Sequence, residues 1–235
     1  MNRTLAVARM QLINRQTFVW VPAIIIASAF IISWLIFAII GQAMGGTPER
    51  GQGFNGASQA PMWYFFAIGI QALTYTFPFS QAMSVSRRTF FLGTTLVSAG
   101  AAALLATIYT VLRFPEEATG GWGVGSYMFG IAWVTDGPWY HGWVFFFAVS
   151  LLFFVFGFWA ATIYKRFGPT VTTVSMIGLG LLVIGVIALI TLQRWWGHVV
   201  AWLSTQTSLS VGLLILALTA VIAASSYLTL RRATP

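Results

Sequence analysis

Six side chains of this 235-residue chain have the acid–base character that catalysis uses: His141, His198, Glu49, Glu116, Glu117 and Asp136. General acid–base work needs such groups beside a reacting atom. His141, Asp136 and His198 fall in segments between long apolar stretches, where they could serve an enzyme acting on lipid at a membrane surface. His198 and Ser204 could meet there as base and nucleophile, but no acid lies nearby in sequence to orient the pair. Neither histidine lies within an apolar stretch, so the two cannot supply paired axial ligands to a buried haem, and interfacial packing is the simpler account of both. With no Cys there is no disulfide, thiolate metal site, iron–sulfur cluster or cysteine nucleophile. Lys165 is the only lysine, and no glycine-rich loop runs into Lys and Ser/Thr, so the chain has no P-loop for ATP.

The elements around these groups are set by composition. At 58% hydrophobic and 7% charged residues, with mean hydropathy +0.84, too little polar surface exists to cover a water-soluble core. The pattern predicts an all-α integral membrane protein. A helix needs about 20 apolar residues to cross a bilayer, and six stretches qualify: about 18–40, 62–83, 90–112, 142–164, 171–192 and 209–230. None carries a carboxylate at depth, which argues against a proton relay. Trp63, Tyr64, Trp139, Tyr140, Trp143, Tyr164 and Tyr227 mark their ends as interfacial rings do.

Charge then predicts orientation. Arg3, Arg9, Arg15, Arg87, Arg88, Lys165, Arg166, Arg231 and Arg232 lie at the termini and in the second and fourth connections, with no acid among them. All four acids, with Arg50, Arg113 and Arg194, lie in the other three. Positive residues stay in the cytoplasm, so both termini and the second and fourth connections are expected inside. The net charge of +8 is explained by this sorting and by anionic headgroups rather than by nucleic acid.

The whole chain, 1–235, reads as one transmembrane domain. Residues 1–17 precede the first crossing as a cytosolic interfacial helix, with Arg3, Gln11, Asn14 and Arg15 on one face and Leu5, Met10, Leu12 and Ile13 broadly opposite. The inner connections, Ser84–Thr89 and Lys165–Pro169, leave no room for a cytosolic domain. Among the outer ones, Trp122–Val134 is apolar but too short to cross, so it should lie on or dip into the interface. Trp195–Leu203 has the spacing of a short amphipathic helix or re-entrant turn.

Pro78 should kink the second crossing near its inner end. The string Phe77-Pro78-Phe79-Ser80-Gln81-Ala82-Met83, followed by Ser84-Val85-Ser86-Arg87-Arg88-Thr89-Phe90-Phe91-Leu92-Gly93-Thr94, resembles the permease subunits of bacterial ABC-2 type exporters in their small six-span form. The likeness extends to the six-span plan, the preceding interfacial helix and the short first inner loop. It implies that Ser84, Val85, Ser86, Arg87, Arg88, Thr89 and Phe90 form a coupling helix docking on a separate nucleotide-binding ATPase, which holds ATP and Mg²⁺. It further implies a second permease, identical or not, and no enzymatic site or cofactor in this chain.

Gln71, Thr74 and Tyr75 share a face of the second crossing that should avoid lipid. They either line a substrate path or bond between helices of one subunit. Small residues such as Gly93, Ser98 and Gly100 in the third crossing, and Gly178, Gly180 and Gly185 in the fifth, suit close packing. Without charge at depth, an amphipathic, lipid-like, peptide or drug substrate fits better than an ion. The competing readings are a lipid-directed enzyme and a non-transporting membrane anchor of an ATPase.

Overall fold

The computed structural model describes residues 16–48, 50 and 55–231, without the side chains of Phe18 and Val19. The expected surface helix at 1–17, except Gln16 and Thr17, lies outside that range, as do Glu49 and Arg232. Helices account for nearly all of the described residues, with no strand among them. Four helices are long and apolar enough to cross a membrane: Val21–Met44, Arg87–Ala118, Trp139–Leu192 and Ser208–Leu230. In lipid, a backbone without water must satisfy its own polar groups, which is why such runs are helical.

A π turn, Gln16–Trp20, leads into α1, Val21–Met44, which ends on left-handed Gly45. The second apolar run, α2, is continuous but not uniform: Ala60–Gln71 is α-helical, Ala72–Thr76 is π, and Phe77–Ala82 is α again. Pro78 supplies the reason. It has no N–H for the carbonyl four residues back, and the ladder widens so that Phe77 N–H bonds the Ala72 carbonyl instead. Next comes α3, Arg87–Ala118.

The 54-residue helix Trp139–Leu192 is two helices joined at Gly168, whose φ of 85° and ψ of 177° suit only glycine. Pro169 then restarts the helix at a position where no donor is needed. Residues 139–167 are α4 and residues 169–192 are α5. Short α6, Trp196–Ser204, and α7, Ser208–Leu230, complete the order; Thr207 and Ser210 close a capping box at the start of α7.

The core forms around α4. Gly69 of α2 and Gly157 of α4 each sit so close to the opposite backbone that a Cβ would lie 2.2 Å from the Phe154 carbonyl or 2.1 Å from the Phe66 carbonyl. Only glycine allows that crossing. Gly212 brings α7 close to Phe145, though less tightly, a Cβ there lying 3.2 Å from the Phe145 backbone. Between α3 and α4, the Tyr109 and Phe146 rings lie 4.7 Å apart, and Phe90 packs on Phe77 at 5.2 Å. By contrast, α5 and α6 have no buried residue at all. Apart from their own helical turn, no atom of the described residues lies within 4 Å of where a Cβ would stand at Gly178, Gly180 or Gly185. The close packing expected of these glycines is therefore not made with any other helix among the described residues.

Candidate functional site

At one end of the bundle, α2 turns into α3 within four residues. Ser84 takes a left-handed φ of 55°. Its N–H bonds the Gln81 carbonyl at 2.9 Å, and Val85 N–H bonds that of Ser80 at 3.0 Å. The Gln81 Nε2 closes the loop on the Val85 carbonyl at 3.0 Å. Ser86 caps α3, its Oγ accepting from Thr89 N–H at 3.2 Å and meeting the Thr89 hydroxyl at 2.7 Å. Such a cap contributes about 1 kcal/mol.

The seven residues that the resemblance singles out are divided by this geometry. Ser84, Val85 and Ser86 form a turn, while Arg87, Arg88, Thr89 and Phe90 are the first turn of α3, with no separate helix between. The Phe90 ring is fully buried and serves the core. Arg87 donates through Nη1 to the carbonyls of Arg231 at 2.8 Å and Leu230 at 3.4 Å, tying the hairpin to the end of α7. Arg88 is exposed, as are Ser84 and Ser86, and beside them stand the exposed side chains of Phe79 and Met83. The surface available to a partner is thus a rigid, cationic and partly apolar knuckle.

Midway along α2, Gln71, Thr74 and Tyr75 are all exposed on the outer face of the bundle, Tyr75 at 73%. The Thr74 hydroxyl is bonded to the Ile70 carbonyl at 2.9 Å. The structure brings these three together where the π turn bulges and turns them away from their own chain.

At the opposite end lies an arrangement that sequence reasoning missed. Glu116, in the last turn of α3 beyond the apolar part of the crossing, is completely buried. Its Oε1 accepts from Met128 N–H at 2.8 Å and the Trp122 indole at 2.9 Å. Oε2 accepts from Phe129 N–H at 2.9 Å and from Gly130 N–H. Burial pushes this carboxyl above the ordinary range, and the bonds from Gly130, Met128, Trp122 and Phe129 pull it back.

Successive backbone donors converging on one anion make a nest, and the local sequence permits it. Trp122, Gly120, Gly121, Gly123 and Gly125 all have positive φ, which wraps the chain back over the end of α3. Gly125 passes so near Pro48 that a Cβ would lie 2.4 Å from its carbonyl.

A second set of charges pins the connection between α1 and α2 to this wrap. Arg50 Nη2 lies 3.1 Å from Glu117 Oε1 and 3.0 Å from Asp136 Oδ1, and donates to Thr135 Oγ1 at 2.7 Å. Its Nε donates to the Gly130 carbonyl at 3.1 Å, and Arg113 donates to Glu117 at 2.8 Å. Below these pairs, Met128 and Phe129 are buried, Phe129 lying 5.1 Å from Tyr109 and 6.1 Å from Phe30. Ser126 meets Ser33 of α1 at 3.0 Å. Residues 126–129 of the segment Trp122–Val134 therefore pack between α1 and α3. The signals in the sequence that could have pointed to this arrangement are the i,i+4 spacing of Arg113 and Glu117 and the glycine run that follows Glu116 and Glu117.

Asp136 is engaged by Arg50 and by Trp133 N–H at 2.9 Å. His141 packs against Tyr140 at 4.8 Å, and His198 lines an open, mainly apolar cleft with Trp195, Val199 and Trp202. Among the described residues, no three such side chains converge where a metal ion could sit. In comparisons with protein-family models, curated proteins and solved structures, nothing matched this chain.

Proposed function

We propose that this chain is the membrane-spanning permease subunit of an ATP-binding cassette exporter in a bacterial plasma membrane. In this reading it crosses six times, as α1, α2, α3, α4, α5 and α7, with both termini and the 84–90 hairpin cytoplasmic. ATP and Mg²⁺ belong to a separate ATPase subunit, which docks on the hairpin through Arg88, Ser84 and Ser86, with Phe79 and Met83 beside them. The stiffness of the hairpin carries this reading. A subunit that moves on nucleotide binding can tilt two helices only through a contact that does not absorb the displacement. Four hydrogen bonds and the Arg87 clip make 84–90 such a contact.

A second permease, of the same or another sequence, faces α5 and the polar patch of α2 in this assembly. Gln71, Thr74 and Tyr75 then border a path for an amphipathic or lipid-like substrate. The test is copurification with a soluble P-loop ATPase encoded beside the chain. Arg88→Glu, alone and with Arg87→Glu, should weaken recruitment while membrane insertion persists. Undiminished copurification would remove the docking role.

A further inference from the structure

Where α4 and α7 end beside the hairpin, Arg166, Ser225, Leu228, Thr229 and Arg231 line a cleft of about 550 Å³. The geometry points to a binding site here for one anionic phospholipid, its phosphate held by Arg166 and Arg231. Both guanidiniums are braced by rings: Arg166 lies 4.5 Å over Phe167 and Arg231 lies 6.0 Å over Tyr227. Neither has a carboxylate partner among the described residues, where the only ion pairs are those of Arg50 and Arg113. The described acids are far away: Glu116 and Glu117 lie 29 and 30 residues along α3 from Arg87, about 45 Å at helical rise, and Asp136 joins Glu117 through Arg50. Two cations facing one cleft without internal neutralisation favour an anion from outside.

The carbonyl end of α7 would ordinarily repel such an anion. Arg87 removes that obstacle by donating to the Leu230 and Arg231 carbonyls. Hydroxyls complete the lining. Ser225 Oγ accepts from the Trp159 indole at 3.2 Å, which leaves its own proton for a phosphate oxygen. The Thr229 hydroxyl donates to the Ser225 carbonyl at 2.9 Å and offers its lone pairs to a glycerol hydroxyl.

The apolar wall decides between a lipid and a free anion. Leu228 is 60% exposed and lies one turn along α7 from Arg231, on the side of the hydrocarbon, where an acyl chain would follow it. A phosphate ion or an acidic protein surface has no use for that contact. The site is independent of the transport reading, because lipid binding is measured without the ATPase.

The full chain in mild detergent, titrated with phosphatidylglycerol, phosphatidylcholine or inorganic phosphate, provides the test by native mass spectrometry and thermal unfolding. Phosphatidylglycerol should remain bound one per chain and raise the unfolding temperature; the other two should not. Losing one arginine near a phosphate should weaken phosphatidylglycerol binding about fivefold, and Arg166→Gln with Arg231→Gln about 25-fold. Arg166→Gln alone makes the test if the double variant fails to fold, since among the described residues no side-chain hydrogen bond ties Arg166 to the bundle. Arg194→Gln, at the other end of α5, should leave binding within about twofold. Equal weakening by Arg194→Gln would reduce the effect to general surface attraction and overturn the site. Phosphate alone matching the lipid, or phosphatidylcholine matching phosphatidylglycerol, would overturn the lipid assignment.

Discussion

Replacing Glu116 should cost more than replacing any other charged residue outside the crossings. In Glu116→Ala, the N–H groups of Met128, Phe129 and Gly130 lose their acceptor inside a buried wrap, and the Trp122 indole loses a fourth bond. Each orphaned buried donor costs about 1–3 kcal/mol, so three backbone donors alone amount to roughly 3–9 kcal/mol. Releasing a desolvated carboxylate offsets several kcal/mol of that, leaving a net loss of about 3–5 kcal/mol. Glu116→Gln keeps the shape but turns an NH₂ toward N–H donors, and about 2 kcal/mol is expected. Glu117→Ala removes only partly exposed ion pairs and should cost at most about 1 kcal/mol. Unfolding by SDS in mixed micelles, followed by tryptophan fluorescence, measures the series, and protease sensitivity within 119–137 locates the damage. A Glu116→Ala variant within about 1 kcal/mol of the parent would refute the nest as the anchor of the cap.

Arg50→Ala should loosen the same cap by about 1 kcal/mol, because its ion pairs are partly solvated; cleavage should rise within 119–137 while the crossings stay protected. Gly157→Val should prevent α2 from seating on α4 and cost more than about 3 kcal/mol, seen as loss of folded monomer in detergent. Gly178→Ala should leave the stability of the isolated chain within about 0.5 kcal/mol, since no other helix among the described residues lies near it; its effect, if any, should appear only in subunit association by crosslinking. Since burial raises the Glu116 carboxyl, the folded cap binds a proton more readily than the unfolded chain does. The stability of the parent relative to Glu116→Gln should therefore grow as pH falls from neutral toward the ordinary value of 4.5, and a flat difference would contradict it.

Each apolar stretch coincides with a helix whose ends lie within six residues of its own, because an apolar run in lipid must satisfy its backbone internally. The breaks were also readable: Gly168 and Pro169 interrupt what is otherwise one helix, and Pro78 forecast a disturbance in α2. Its form was not readable, since a missing N–H can be accommodated by a kink or by a π turn, and packing selects between them. Glu116 lay beyond reach for a stronger reason. Its burial depends on residues 126–130 returning from the outer connection, a tertiary event that no local spacing records. The same holds for Arg87, whose carbonyl partners lie 143 and 144 residues away. Gly178, Gly180 and Gly185 suggested close packing, yet among the described residues no other helix approaches them.

Because the chain has no cysteine, its orientation can be measured cleanly with single introduced thiols. Ser84→Cys marks the arginine hairpin, and Thr205→Cys marks the exposed turn before α7. In intact cells, a membrane-impermeant maleimide should label Thr205→Cys and reach Ser84→Cys only after permeabilisation. Labelling of Ser84→Cys from outside would put the hairpin on the wrong side of the membrane for any cytosolic ATPase.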